Sequence, residues 1–162
     1  RVKHESIEIT SQKFRESTMK KVVFFALAFC LASGITWAQD VFGKWYSIDP
    51  DTGENESIIR VYEKDQKVFA QIETILKEED KDKTCIECTG ADKDKPIEGL
   101  VIMKGLVKDG DEYNGGKILD PKNGKYYKCY ITLEEENKLK LRGYIGFSVI
   151  GRTEYWHRVE GK

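Results

Sequence analysis

Histidine is nearly absent from this 162-residue chain, which has only His4 and His157. No serine–histidine–aspartate arrangement can be read from such spacing, and triads are in any case recognised only in three dimensions. Paired metal-ligand motifs are missing too. Cys85-Ile86-Glu87-Cys88 has no second pair, and Cys129 and His157 stand singly on separate segments, so a zinc site lacks its other half. Positive charge is not in excess: 27 Lys and Arg face 28 Asp and Glu, with no long cationic cluster. That argues against nucleic acid as a partner and against an anionic membrane surface. The longest apolar run, Val22 to Ala32, falls short of the roughly 20 residues a membrane span needs. It breaks at Ser33-Gly34 with no basic cluster after it, so no transmembrane anchor is expected. Past Gln39 there is no sustained helical period of apolar residues and no internal repeat.

What is present begins with an export signal. Met19-Lys20-Lys21 supplies a positive start, Val22 to Ala32 an apolar centre, and Thr36-Trp37-Ala38 a small-residue cleavage site. Residues 19–38 are therefore expected to be a signal peptide. Residues 1–18, polar and aperiodic, read as an upstream extension that is not part of the native protein, and residues 39–162 as a single β-barrel domain. Phe29 precedes Cys30 where a lipoprotein needs a small residue, so the product is expected to be soluble in the periplasm or outside the cell. Removing 38 residues leaves 124, with 21 basic and 25 acidic side chains and a net charge of −4.

The remainder reads as short β-rich runs between turn signals. They are Phe42–Ile48, Ser57–Glu63, Lys67–Leu76, Gly99–Val107, Glu112–Leu119, Lys125–Leu133, Lys138–Phe147 and Ile150–Arg158. Eight strands with mostly short connections suit an all-β, antiparallel up-and-down barrel, which removes exposed sheet edges. A two-sheet β-sandwich is the competing architecture. An eight-stranded barrel either fills with side chains or holds one small ligand. The Lys77–Lys95 segment, dense in Lys, Asp and Glu, reads as a solvated loop.

Three readings compete for Cys85 and Cys88 in that loop. In an oxidising compartment close cysteines most simply pair, bracing the loop. A redox-active dithiol lacks its usual βαβ context, and zinc lacks its remaining ligands. The disulfide is preferred. Cys129 alternates with Tyr127, Ile131 and Leu133, which points it inward as a buried free thiol. Gly115-Gly116 precedes no helix and reads as a bulge or a close approach of strands. Glu134-Glu135-Glu136 reads as a solvated turn.

The ends of the barrel domain carry more information. Gly43-Lys44-Trp45 opens the first strand and Gly151 to Arg158 forms the last, and in a closed meander these strands are neighbours. Arg152 or Arg158 is expected to cover the Trp45 indole, a stacking contact of about 0.5–2 kcal/mol. This pairing resembles the barrel closure of lipocalin-type proteins, where its role is structural. Asp120, Tyr126, Arg142, Tyr144 and Arg152 are expected to gather at one barrel end as a polar binding site; the competing reading makes them surface pairs across strands.

In order along the chain come Gly43-Lys44-Trp45, the Asp49–Gly53 turn, Cys85-x-x-Cys88, Lys95-Pro96-Ile97-x-Gly99-Leu100 and Gly115-Gly116-Lys117-Ile118-Leu119-Asp120-Pro121. Arg142-Gly143-Tyr144-x-Gly146 and Gly151-Arg152-Thr153-x-x-Trp156 follow. The series resembles the bacterial family called domain of unknown function 2147. The resemblance implies a small exported bacterial β protein and brings no catalytic residues with it. Three functions are weighed. The first is a non-enzymatic barrel holding a small apolar or amphipathic ligand, for which a barrel mouth is a common site. The second is an envelope interaction protein or inhibitor acting through the charged loop. The third, an enzyme, rests on Arg142, Asp120 and Tyr126 and is disfavoured because no nucleophile–base pair is visible. No cofactor is expected.

Overall fold

Alternation of period two marks eight segments of the chain, and each becomes a strand. The computed structural model describes residues 40–160. The strands are β1 (Gly43–Ile48), β2 (Asn55–Lys64), β3 (Lys67–Ile75), β4 (Val101–Asp109), β5 (Glu112–Asp120), β6 (Lys125–Glu135), β7 (Lys138–Tyr144) and β8 (Gly151–Arg158). Each pairs antiparallel with its neighbour in sequence, and β8 returns to β1, so the sheet closes into a barrel rather than splitting into a sandwich. The expected signal peptide and upstream extension, with Cys30, lie outside the described residues. Strand limits match expectation closely, the widest difference being at the end of β7. That strand stops at Tyr144 instead of Phe147 because the chain folds back, the Ile145 and Ile150 amides donating to the carbonyls of Ile150 and Phe147.

Connections alternate between the two ends of the barrel, and the ends differ. Three tight hairpins close one of them. The β2–β3 hairpin turns through Asp65 and Gln66 at φ 52° and 60°, the left-handed pair that a two-residue hairpin requires. Above these hairpins the inward side chains are large and interdigitate: Val61, Met103, Leu106, Ile131 and Leu139 are all buried. Each such side chain contributes about 1.5–3 kcal/mol by leaving water. Cys129 joins this filled half, fully buried, and desolvation pushes its thiol up to about 12. The Gly115-Gly116 pair is the strand irregularity the sequence suggests. The β5–β6 register shifts between Tyr113 and Gly116, and a Cβ on Gly116 would stand 2.5 Å from the Lys104 carbonyl oxygen of β4.

Closure depends on a short seam. β1 meets β8 only where Trp45 faces Arg158 and Tyr46 faces His157. Trp45 is fully buried and its indole N–H donates to the Val41 carbonyl at 2.9 Å. The Arg158 guanidinium lies 4.1 Å from the indole centroid and donates to the carbonyls of Glu136, Phe42 and Asp40 at 2.8–2.9 Å. One side chain thus ties the first strand, the last strand and the β6–β7 turn. Arg152, the other arginine considered for this role, sits toward the opposite end of β8, across from Gly143.

Candidate functional site

Beyond the filled half, inward positions carry small side chains where large ones would be needed to complete the core. Ser47 and Ser57 share a hydroxyl–hydroxyl hydrogen bond of 2.7 Å, and Gly143 presents no side chain. The space left is a cavity of about 880 Å³, within the range of small-molecule sites. Trp156, Leu141, Ile59, Ile72 and Ile118 line it, so its surface is chiefly apolar. The barrel is therefore filled at one end and hollow at the other.

The four connections at the hollow end frame the mouth, and two of them dominate. One is the β3–β4 segment, which carries two short 3-10 turns, Glu78–Asp80 and Gly90–Asp92. Despite its charge it is docked on the barrel at three points. Lys77 pairs with Asp49 of the β1–β2 turn. The Cys85–Cys88 disulfide forms as expected and buries both cysteines against the β5–β6 turn. Cys85 Sγ lies 3.6 Å from the Pro121 carbonyl oxygen, a contact only, since a disulfide sulfur has no proton to donate. A Cβ on Gly124, which has φ 68°, would overlap the carbonyl of Glu87. The third tie is Asp92, which accepts from Lys104 Nζ at 2.7 Å and from the Tyr126 hydroxyl at 2.6 Å. These two hydrogen bonds, Lys104 first, hold the Asp92 carboxyl down at about 2.

Facing it across the mouth is the β7–β8 turn, whose apolar side chains stand in solvent. Phe147 and Val149 are 78% and 82% exposed, and Ile145 and Ile150 are also open while lining the cavity entrance. Arg142 holds this turn from outside, donating to the Ser148 and Val149 carbonyls at 3.0 and 3.2 Å and to Thr153 Oγ1 at 3.0 Å.

Of the five residues expected to gather as a polar site, Asp120, Tyr144 and Arg152 line the cavity, and Tyr126 and Arg142 do not. Strand parity separates them. Tyr126 and Arg142 point outward, the first to anchor the β3–β4 segment and the second to shape the apolar turn. Tyr144 stands at the rim with its ring 6.5 Å from that of Tyr130. Asp120 and Arg152 line the cavity, but Asp120 spends its carboxylate on its own turn, accepting from the Lys122 amide and from Asn123 Nδ2. A further ionisable group at the lining is Glu154, on the same face of β8 as Trp156 and opposite Leu141 of β7. Its side chain lines the cavity and keeps 44% of its surface. Burial accordingly raises its pKa above the ordinary value, with Arg152 opposing and Asp120 and Glu56 adding to the rise. Glu154 and Asp92 were not singled out by sequence reasoning. The available signal for Glu154 was its two-residue offset from Trp156 on a strand whose other face is exposed.

A family model described as "Uncharacterized protein conserved in bacteria (DUF2147)" matches residues 43–158, from the first residue of β1 to the last of β8. No curated protein matches the chain. Among solved structures the chain is similar to one described as "Protein HP1028 from the human pathogen Helicobacter pylori belongs to the lipocalin family". The TM-score is 0.65 at 18% identity, covering 75% of this chain and 84% of that one. At that identity the likeness establishes a shared barrel fold.

Proposed function

The chain belongs to the DUF2147 family of bacterial proteins, and from that premise we propose that it is an exported, non-enzymatic binding protein whose barrel takes a small apolar or amphipathic ligand. The observation that carries this reading is the cavity of about 880 Å³, apolar at its base and polar near its mouth. Burying a ligand's hydrocarbon there removes its surface from water at about 25 cal/mol per Å². The lipocalin-like barrel of the similar structure is consistent with such a role, and the Cys85–Cys88 disulfide suits an oxidising compartment outside the cytoplasm.

Native mass spectrometry of the protein recovered from its own bacterial host tests both halves of the proposal. The expected result is a polypeptide beginning at Gln39 that carries a co-purifying small molecule. A mass retaining residues 19–38 would sink export. A ligand-free mass, together with failure to bind an apolar fluorophore, would sink the cavity reading.

A further inference from the structure

Among the ionisable side chains that line the cavity, Glu154 shares the inward face of β8 with Trp156, and its carboxylate is poorly satisfied. Among the described residues no donor makes a hydrogen bond to the Glu154 carboxylate. Its one ion pair, with Arg152 Nε, spans 3.4 Å, longer than the 2.7–2.9 Å of a charge-assisted hydrogen bond. Arg152 is 64% exposed and lies nearer the mouth, so it is free to swing away. The other cations at the lining are engaged elsewhere, Lys122 with Glu56 at 3.2 Å and Lys83 with Asp80. Five carboxylates and three cations line the cavity in all, an excess of two negative charges.

A carboxylate drawn partly out of water with open acceptor sites gains when a cation or a donor reaches it. Resting on the binding reading above, we propose that Glu154 anchors the ligand's polar end and that the preferred ligands are amphipathic cations, alkylammonium compounds with a hydrocarbon tail lying on Trp156, Ile59 and Ile72. A bound ammonium places three donors beside Glu154 and offsets the acidic lining. A fatty-acid-type anion meets the opposite situation: to reach Arg152 with its tail on the apolar base it must lie alongside Glu154, at the cost of repulsion or of protonating that carboxyl. The aromatic faces of Trp156 and Tyr127 add further attraction for a cation.

The test uses three probes of equal chain length, dodecylammonium, dodecanoate and dodecanol, titrated below their micelle concentrations into the intact protein by calorimetry at neutral pH. The expected result is that dodecylammonium binds at least about tenfold more tightly than dodecanoate, the size of one charge-assisted hydrogen bond. Glu154→Gln, which keeps the shape, should abolish that preference while leaving dodecanol within about twofold of the native affinity. Dodecylammonium affinity for the unaltered protein should also fall on acidification as Glu154 protonates. The charged groups that act on Glu154 are Arg152, Asp120, Glu56 and Lys122, and the same titration of the Glu154→Gln protein supplies the baseline they contribute. Dodecanoate binding as tightly as dodecylammonium, or a preference that survives Glu154→Gln, overturns the proposal and leaves the apolar cavity intact as a site. Failure of all three probes to bind overturns the cavity reading itself.

Discussion

At the scale of the residue, Arg158 does more than any other single side chain to close the barrel. It covers an indole fully removed from water and fills three carbonyl acceptors at the shortest seam of the sheet. Arg158→Ala is expected to destabilise the protein by about 2 kcal/mol or more, the sum of a stacking contact and lost charge-assisted bonds. Arg158→Lys should recover little of this, since a point ammonium cannot span three acceptors in fork geometry. Urea unfolding followed by tryptophan fluorescence measures both. Asp92 offers a pH-dependent counterpart. Its folded pKa of about 2 lies below the ordinary 3.8 because Lys104 and Tyr126 donate to its charged form. The stabilisation is therefore complete above the ordinary value and is lost as pH falls through about 2. Asp92→Asn should lower the urea midpoint near neutrality and leave it little changed at the acid end. An equal loss at both ends would contradict this assignment.

At the scale of the element, the charged β3–β4 segment is part of the architecture of the mouth. Its disulfide closes a very short loop, for which the chain-entropy model allows about 2 kcal/mol. Its docking depends on the left-handed, side-chain-free position at Gly124. Gly124→Ala meets both backbone strain and overlap with Glu87, an expected cost of about 1–3 kcal/mol. Its signature is local. Amide hydrogen exchange should quicken between Lys83 and Ile97 while the β6–β7 ladder keeps its protection, whereas a uniform loss of protection would show that the segment and barrel unfold as one unit.

At the scale of the whole molecule, the division into a filled half and a hollow half is the property on which function rests. Closing eight strands sets an interior of nearly fixed width, so the side chains at inward positions decide whether space remains. Ile72→Trp adds volume where the structure has room for it. It should cost little stability but weaken binding of an apolar fluorophore at least about tenfold, because the displaced ligand loses its buried surface. Retained affinity in a folded Ile72→Trp protein would place binding elsewhere.

The strands themselves were legible in the sequence, since turn residues and period-two alternation are local and the eight runs needed no distant information. The Trp45–arginine closure was half legible. Composition offered two arginines of the same strand parity, and only the strand register put Arg158 rather than Arg152 against the indole. The Cys85–Cys88 pairing followed from short spacing, and the inward, inert Cys129 from alternation with Ile131. The site was only partly legible: Asp120, Tyr144 and Arg152 do line the cavity. Residues chosen for their chemistry, Tyr126 and Arg142, turned out to face outward, while Glu154, embedded among exposed-looking neighbours, faced in. Parity along a strand is a local property, but which face lies inside, and whether inward side chains meet or leave a gap, depends on how all eight strands close. The sequence by itself determined a closed meander with a tryptophan–arginine seam. The tertiary structure alone decided that half of it is hollow and that Glu154 faces the space, because a cavity is what remains after every neighbour has been placed.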